Sequence, residues 1–173
     1  MAEREPIESK NVDRYGGPDF PWSDVRDVLA GLPGVEGTMY LGTVRTDGRP
    51  HVTGIAPAWF DGDVYLVTGL NTLKAKNLAA RPDCTLVMRL PGFDVTLNGR
   101  AEVIRDPQLL ETLAAAYRED GWPLEVKDGA MVAPYSAQTA GPPPWHLFRV
   151  RFKEAIVLRT QEPGGAMKWR FAD

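Results

Sequence analysis

Short β-prone segments separated by tight polar turns constrain the fold of this chain more than any other feature. Six segments share this character, namely residues 39–45, 51–60, 64–68, 84–90, 93–105 and 145–159. The first three are separated only by residues 46–50 and 61–63, and both turns contain Asp-Gly, a pair typical of tight connections between antiparallel strands. They predict an antiparallel meander. Six or more strands with short links predict a mainly β fold, an antiparallel barrel with peripheral helices, because closure removes exposed strand edges.

Three short helices are predicted around the strands. The first has apolar residues at helical spacing, with Ser23 as its expected cap and Pro33 just beyond its end. The second covers residues 72–80 and stops before Pro82, which cannot continue a helix. The third begins after Asp106, a capping residue followed by a proline at the first helical position.

The 173 residues are enough for one domain with a sizeable core. Residues 1–22 are polar and rich in Gly and Pro, and we expect an N-terminal arm that either wraps the domain or stays loose. Residues 23–173 then form a single barrel domain. Within it, Asn98-Gly99 predicts a bulge or bend in a long strand. Residues 121–144 are irregular, and we expect them to carry much of the substrate specificity.

Composition excludes several classes of function. The net charge of -3 and the pI near 5.5 argue against a dedicated nucleic-acid-binding protein, because such proteins usually have an excess of basic residues. A single cysteine, Cys84, excludes an intrachain disulfide, and His51 and His146 lack the spacing of metal ligands, so no metal site is predicted. No apolar run approaches the roughly 20 residues of a membrane span, and the N-terminus lacks a signal core. We therefore expect a cytoplasmic protein without a membrane partner.

The segment after the third strand predicts a phosphate site. The strand ends at Gly69, a polar turn follows, and a helix opens near Thr72 with Lys74 and Lys76 in its first turns. Free N–H groups at a helix start, a hydroxyl group and nearby ammonium groups favour phosphate. The alternative is that both lysines lie on a solvated helix face, as most lysines do. Phosphate binding here points to a phosphorylated cofactor rather than to a hydrolytic site.

An ordered set of short motifs resembles a known family. In chain order these motifs are Pro57, Asp61-Gly62, the strand end at Thr68, Lys74-Ala-Lys-Asn-Leu78, Arg81-Pro82 and Gly99-Arg-Ala-Glu102. The set resembles the split β-barrel flavin and deazaflavin proteins, that is, the pyridoxamine 5′-phosphate oxidase-like family and its coenzyme F420-dependent oxidoreductase relatives. The similarity covers about residues 37–171. The Gly-Pro-Pro-Pro-Trp segment ending at Trp145 and the tail from Trp169 to Phe171 resemble the deazaflavin branch more.

The resemblance implies a homodimer with the cofactor in a groove at the subunit interface. Lys74 and Asn77 would hold the phosphate with a hydroxyl from Thr72, the flat ring would lie against strands two and three, and the C-terminal tail would close the site. The cofactor-binding residues implied are Ile55, Ala56, Pro57, Thr68, Gly69, Thr72, Lys74, Lys76, Asn77, Trp169 and Arg170.

Two positions depart from the family pattern, and two others have a simpler interpretation. Leu73 stands where an arginine often precedes the lysine, and Lys168 stands where an arginine often precedes the tryptophan. Loss of the first arginine removes a fork-shaped donor group suited to phosphate. Asn77 could simply tie down the local backbone. Trp169 could dock the C-terminal tail onto the barrel instead of covering a cofactor.

The resemblance implies an oxidoreductase that uses reduced coenzyme F420 to transfer hydride to a small conjugated organic substrate. The alternatives are an FMN-dependent enzyme like pyridoxamine phosphate oxidase and a non-catalytic protein that binds flavin, deazaflavin or haem. The chain has no catalytic-triad or nucleotide-binding glycine motif, which agrees with chemistry supplied by a cofactor. No catalytic residue is assigned; His51, His146, Tyr65 and Tyr135 are the side chains considered for proton transfer.

Overall fold

The computed structural model describes residues 4–135 and 139–172 of the chain. Its strands are β1 (Glu8–Asn11), β2 (Thr38–Val44), β3 (Pro50–Gly54), β4 (Ala58–Phe60), β5 (Asp63–Thr68), β6 (Asp83–Leu90), β7 (Phe93–Ile104), β8 (Glu125–Lys127), β9 (Ala130–Val132), β10 (His146–Arg159) and β11 (Ala166–Arg170). Its helices are α1 (Trp22–Leu29), α2 (Leu73–Ala80) and α3 (Pro107–Glu119). The predicted mainly β class is confirmed.

Strand β10, 14 residues long, organises the sheet. One edge of β10 pairs with β7 along nearly its full length, whereas the other edge pairs first with β5 and then with β11. The strand order is β1-β11-β10-β7-β6-β2-β3, with β4 attached through β5, and the strand pairs are antiparallel. The edge of β10 that serves two partners splits the sheet, as expected of the predicted split barrel.

Neighbouring segments of the predicted meander do pair antiparallel, but its second strand is not continuous. Residues 51–60 form two strands, β3 and β4, separated by residues 55–57. β3 pairs with β2, whereas β4 pairs with β5, which in turn pairs with β10. Pro57 has no N–H to donate to a ladder, so a strand is readily broken at this position. The break leaves residues 55–57 outside the sheet and beside the end of β5.

A bulge lies opposite the predicted position rather than at it. Gly99 faces Phe152 and Asn98 faces Glu154, so Lys153 is the extra residue and belongs to β10. A Cβ atom on Gly99 would lie 2.4 Å from the Arg151 carbonyl oxygen. The glycine is therefore required because the bulged strand approaches its backbone too closely for any side chain.

The N-terminal arm is joined to the domain over much of its described length. β1 pairs with β11 along the sheet edge, and the Arg4 guanidinium lies 2.7 Å from the Asp63 carboxylate. The expected Ser23 cap is wrong. Helix α1 begins at Trp22, two residues before a Ser23 cap would start it; Pro21 occupies the capping position without a side-chain hydrogen bond, and Ser23 lies inside the first turn.

The region predicted to be irregular, residues 121–144, contains a short hairpin. β8 and β9 have three residues each and are joined by Asp128-Gly129, both at positive φ. Positive φ at both central residues is the geometry of a tight hairpin turn. Strands of three residues are too short to show an alternation of apolar and polar residues in the sequence. The Asp128-Gly129 pair was the sequence signal of this hairpin.

Two apolar clusters fill the molecule. The larger lies between the sheet and helices α1 and α2, and includes Trp22, Phe152 and Trp169. The smaller lies on the other face of β5 and the start of β10, where α3 and the β8–β9 hairpin cover it. Its largest fully buried side chains are Trp145 and Tyr117. Within the described residues, no helix has the length and apolar character needed to cross a membrane.

Candidate functional site

A cavity of about 280 Å³ lies where the β3–β4 break, the end of β5 and the start of α2 meet. Its lining residues are Gly54, Ile55, Ala56, Leu66, Val67, Lys74, Trp122, Thr139 and Ala140. The walls are mostly apolar. The side chains with polar atoms are Lys74 on α2, Trp122 after α3 and Thr139 before β10. This cavity therefore brings together residues 55–56 and Lys74, which the sequence assigned to one cofactor site.

Lys74 is the main charged group of the cavity. Only 3% of its surface is exposed, and burial lowers the pKa of its ammonium group below the ordinary value. The ammonium donates a hydrogen bond to the carbonyl oxygen of Thr139, and it has no carboxylate partner among the residues the structure describes. An ammonium group has three donors. A buried cation that meets only a neutral oxygen is suited to an anionic ligand.

Thr72 begins α2 as the sequence predicted. Its side chain accepts a hydrogen bond from the Ala75 N–H and donates one to the Gly69 carbonyl oxygen at 2.8 Å. Its hydroxyl also lies 3.1 Å from the Thr68 hydroxyl. Thr68, Gly69 and Thr72 thus form one hydrogen-bonded corner at the end of β5, adjacent to Lys74.

The chain's own carbonyl groups contact this corner. The Gly69 N–H donates to the Ala140 carbonyl oxygen at 2.8 Å, and the Thr139 hydroxyl donates to the Gly54 carbonyl oxygen at 2.9 Å. A Cβ atom on Gly69 would come within 3.2 Å of the Ala140 oxygen, so the absence of a side chain permits this approach. The oxygens of Thr139 and Ala140 therefore engage Lys74 and Gly69, two groups assigned to the cofactor.

Asn77 and Lys76 lie apart from the cavity. Asn77 is buried and its side-chain amide donates to the Thr43 hydroxyl at 3.0 Å, which ties α2 to β2. Lys76 is exposed on the opposite side of the helix. Phosphate binding by either side chain stays a prediction. The side-chain amide of Asn77 bonds to a side chain of another element rather than to the local backbone.

Of the five residues that the resemblance implies for the cofactor ring, Thr68 and Gly69 lie at the end of β5, and Ile55, Ala56 and Pro57 lie in the β3–β4 break. Ile55 is half-buried, Ala56 is exposed and Pro57 is buried. The Tyr117 hydroxyl donates to the Ala56 carbonyl oxygen at 2.8 Å and so fixes the break to α3. Burial raises the pKa of Tyr117 above its ordinary value, which keeps this hydroxyl a donor.

The structure does not bring Trp169 and Arg170 to this cavity within one protomer. Trp169 is 1% exposed and packs edge-on against Phe20 and Trp22 in the larger core. On β10, the partner of Thr68 is His146, whereas the partner of Trp169 is nine residues further along at Ala155. At about 3.3 Å per residue this separation is about 30 Å.

Arg170 is exposed and its guanidinium lies 2.9 Å from the Glu8 carboxylate on β1. Its side chain therefore belongs to the far edge of the sheet. Closure of the site by Arg170 would require a second protomer, and this role stays a prediction.

Four further side chains were considered for proton transfer. His146 is paired with Thr68 across the sheet, and burial, together with Arg105, lowers its pKa. The ring of Tyr65 is buried in the smaller core, and burial raises its pKa. His51 lies on β3 beside Thr43, and Tyr135 is exposed with its hydroxyl donating to the Gly121 carbonyl oxygen. Of the four, only His146 adjoins the Thr68 corner.

Sequence reasoning missed Trp122 and Thr139. Trp122 follows the end of α3, and its indole packs against the rings of Tyr117 and Trp145 at centroid distances of 5.6 and 5.1 Å. Both missed residues lie in the region predicted to be irregular. Gly121-Trp122-Pro123, a helix stop followed by a large aromatic residue, was the available signal for the first.

The cavity fits the phosphorylated end of a flat cofactor. Lys74 offers a buried cation, while Ile55, Leu66 and Val67 offer apolar wall. Sites for cofactors are typically concave and apolar with a few polar groups that fix orientation. A volume of about 280 Å³ holds part of such a ligand, so the remainder would extend past the exposed Ala56 toward solvent or a partner.

Comparison with solved structures gives several proteins of the same fold. A pyridoxamine 5′-phosphate oxidase-related, FMN-binding protein from Nostoc punctiforme is 18% identical, with a TM-score of 0.59 over 90% of this chain and 94% of that one. A protein named F420 reductase is 22% identical, with a TM-score of 0.50 over 72% and 93%. A haem-binding protein from Mycobacterium smegmatis is 15% identical, with a TM-score of 0.55 over 80% and 55%. At these identities the similarity shows the fold alone.

The family is identified from the sequence rather than from the fold. No curated protein matches the chain significantly. The sequence profile of the pyridoxamine 5′-phosphate oxidase family, however, matches residues 27–159, which is well over half of the chain and includes β2 to β10. The match contains the β3–β4 break, α2 and Trp122. The chain therefore belongs to the pyridoxamine 5′-phosphate oxidase family.

Proposed function

We propose that this protein is an oxidoreductase that binds a phosphorylated flavin-type cofactor with Lys74 and transfers hydride from reduced coenzyme F420 to a small conjugated organic substrate. The observation that carries the proposal is the buried Lys74 ammonium, whose one hydrogen-bond partner among the described residues is a backbone carbonyl group, in a cavity lined by residues 55–56. Family membership and the F420 reductase fold neighbour support the oxidoreductase class.

Each element of the site has a distinct task in this proposal. Thr72 and Gly69 hold the corner in shape, through the bonds from the Thr72 hydroxyl to the Gly69 carbonyl oxygen and from the Gly69 N–H to the Ala140 carbonyl oxygen, while the adjoining Lys74 binds the phosphate. Charge-assisted hydrogen bonds of this kind are about twice as strong as neutral ones. Residues 55–57 form one wall for the ring, and Tyr117 holds that wall in place through the Ala56 carbonyl group.

The cofactor, when bound, supplies the hydride chemistry, so the chain needs no nucleophile. The protein orients the two reactants, and the apolar wall of Ile55, Leu66 and Val67 excludes water from their contact. His146 is the titratable side chain beside Thr68, and its lowered pKa keeps the imidazole neutral near pH 7. A neutral imidazole can relay a proton from solvent to the substrate.

A homodimer is part of the proposal. Tyr40, Val52 and Val87 are exposed apolar residues on neighbouring strands of one sheet face, and Tyr40 is paired directly with both Val87 and Gly54. Gly54 also lines the cavity. A second copy docked on this face would lie beside the cavity and could complete the cofactor groove. Apolar residues contiguous on a surface favour such an interface.

FMN is the alternative cofactor, since its phosphate suits the same corner and an FMN-binding protein shares the fold. A non-catalytic carrier of flavin, deazaflavin or haem is the alternative function. It is favoured by Leu73, which is 42% exposed and occupies a position where family members often supply a phosphate-binding arginine. A weaker phosphate site is expected from that change.

Two measurements test the proposal in sequence. Fluorescence titration of the purified protein with F420, and separately with FMN, establishes whether either binds and which binds more tightly. Reoxidation of the reduced preferred cofactor is then followed with a panel of electron-poor conjugated acceptors, and pyridoxamine phosphate is tested with FMN. We expect F420 to bind and its reoxidation to be accelerated. Tight binding without acceleration by any acceptor would favour the carrier, and binding of neither cofactor would refute the proposal.

A further inference from the structure

Two arginine side chains lie opposite each other on neighbouring strands, away from the Lys74 cavity. Arg100 on β7 and Arg151 on β10 are partners in the antiparallel register. Thr68, at the Lys74 corner, is the register partner of His146, which precedes Arg151 by five residues on β10, or about 17 Å at about 3.3 Å per residue. Like charges that lie directly opposite each other destabilise a strand pair. The arrangement therefore calls for a negative charge beside it.

Arg151 has no acceptor of its own. Its side chain is half-buried, its Nε atom is buried without a hydrogen bond, and its guanidinium makes no hydrogen bond or ion pair within residues 4–135 and 139–172. The Asp63 carboxylate feels the charge of Arg151, but it is bound by Arg4 at 2.7 Å. A guanidinium stays charged and has five donors. Because buried charges in proteins are normally paired, Arg151 points to an anion that the described residues do not supply.

A cavity of about 520 Å³ lies beside the two arginines. It is lined by Pro82, Arg100, Ala101, Glu102, Arg151 and Lys153. Lys153 is the extra residue of the β10 bulge and is exposed. Glu102, the carboxylate of this lining, already accepts a hydrogen bond from Arg149 Nε at 2.9 Å. Three cationic side chains therefore line one cavity whose own carboxylate is bound by an arginine outside the lining.

The terminal nitrogens of both guanidinium groups are available to a ligand. Arg100 has 60% of its side chain exposed, and its contact with the Asp83 carboxylate, at 3.5 Å, is made by Nε. In Arg151 the buried atom without a partner is Nε, whereas the two terminal nitrogens keep solvent access. A guanidinium offers parallel N–H groups that match two oxygens of a carboxylate or a phosphate. Two such groups opposite each other can hold one oxyanion between them.

We propose that Arg100, Arg151 and Lys153 form a second anion site, which binds the phosphate or carboxylate group of a small ligand. The site is separate from the Lys74 cavity, and it does not rest on the proposed function. Because the whole chain carries a net charge of -3, three cations around one cavity are a local concentration of positive charge rather than a reflection of composition. A local positive potential of this kind attracts anions.

Anion binding at this site is measured in a protein that lacks the first site. Thermal unfolding of Lys74→Met is followed against inorganic phosphate, and separately against succinate, at constant ionic strength, since a ligand that binds the native state raises Tm with its concentration. Arg151→Met, and separately Arg100→Gln at its exposed position, are then added to this background. Arg89→Gln is the matched control, because Arg89 is exposed on a neighbouring strand but is bound to Asp94 at 2.7 Å.

We expect saturable binding of at least one of the two anions, and the tighter one identifies the group that the site takes. Arg151→Met and Arg100→Gln should each weaken this binding about tenfold, which corresponds to about 1.4 kcal/mol, in the range of one hydrogen bond to a charged group. Arg89→Gln should leave it unchanged. The absence of saturable binding, or equal losses in all three variants, would overturn the inference.

Titration of the single variant Arg151→Met with FMN and with F420 separates this site from the cofactor site. We expect both cofactors to bind as they do to the wild-type protein. A tenfold loss of cofactor binding would assign Arg151 to the cofactor groove and overturn the inference of a second site. A protein that binds phosphate or succinate through Arg100 and Arg151 but binds neither cofactor would refute the proposed function alone.

Discussion

Replacing Lys74 by methionine separates a ligand-binding role from a structural one. Methionine has a similar length and no charge, so Lys74→Met removes the buried ammonium while keeping most of the side-chain volume. The ammonium donates to the Thr139 carbonyl oxygen, and two of its three donors have no partner among the described residues. The wild-type protein without a ligand therefore carries an uncompensated buried charge, and the variant does not.

Lys74→Met is expected to stabilise the ligand-free protein and to weaken cofactor binding. The variant loses one hydrogen bond to a charged group, about 1.5–3 kcal/mol, but it also avoids the desolvation of an ammonium, which is several kcal/mol. We expect the free energy of unfolding without a ligand to rise by about 1 kcal/mol, or about 3 °C in Tm for a chain of this size. Cofactor binding loses a charge-assisted contact of about 1.5–3 kcal/mol, so Kd should rise about 10- to 150-fold.

Urea unfolding without ligand and fluorescence titration with F420 and FMN measure the two effects on the same preparation. Lys76→Met is the matched control, because Lys76 is exposed on the same helix, and it should change stability by less than about 0.5 kcal/mol. A variant Lys74→Met that is destabilised by 2 kcal/mol or more and binds both cofactors as tightly as the wild type would refute the reasoning. Lys74 would then be a structural lysine that anchors the Thr139 carbonyl group.

Three further predictions follow from the geometry. Burial lowers the pKa of Lys74, so between that lowered pKa and the ordinary value of 10.5 the native state binds fewer protons than the unfolded state. The free energy of unfolding should therefore rise with pH through this window in the wild type and not in Lys74→Met. Urea unfolding across alkaline pH measures the difference. Tyr117→Phe should lower the free energy of unfolding by about 1 kcal/mol, because the Ala56 carbonyl oxygen loses its donor, and unchanged stability would show that water replaces the hydroxyl. Gly99→Ala should lower the free energy of unfolding by about 3 kcal/mol or more, because the added Cβ would lie 2.4 Å from a backbone oxygen of the bulged strand. Gly42→Ala should lower it much less, because the nearest atom to its added Cβ lies 3.5 Å away. Equal chemical-denaturation midpoints for the two variants would contradict the bulge geometry.

Much of the fold was predictable from local sequence signals. The strands β2, β5, β6, β7 and β10 follow β-prone runs bounded by Asp-Gly and Pro-Gly turns, and Thr72 and Asp106 cap α2 and α3 as predicted. The partner of each strand was less predictable. Pro57 breaks a run that appears continuous. β5 pairs with β4 on one edge and, on the other, with β10, which follows it by almost 80 residues, a contact that no local pattern encodes.

The candidate site was predictable where it lies on regular elements. Lys74 follows from a strand end and a helix start, whereas residues 55–56 follow from the family resemblance, and the structure brings both to one cavity. Trp122 and Thr139 come from segments without periodicity, and only tertiary packing places them there. Trp169 was open to two interpretations from the sequence, and its burial against Phe20 and Trp22 supports the docking of the tail onto the barrel.

The central claim is that the Lys74 corner binds the phosphate of a flavin-type cofactor. A crystal structure of the protein with the tighter-binding of F420 and FMN tests it most directly, because it locates the phosphate. We predict a phosphate oxygen within hydrogen-bond distance of Lys74 Nζ, bound through an ammonium hydrogen other than the one donated to the Thr139 carbonyl oxygen. A phosphate bound away from Lys74 would contradict the claim.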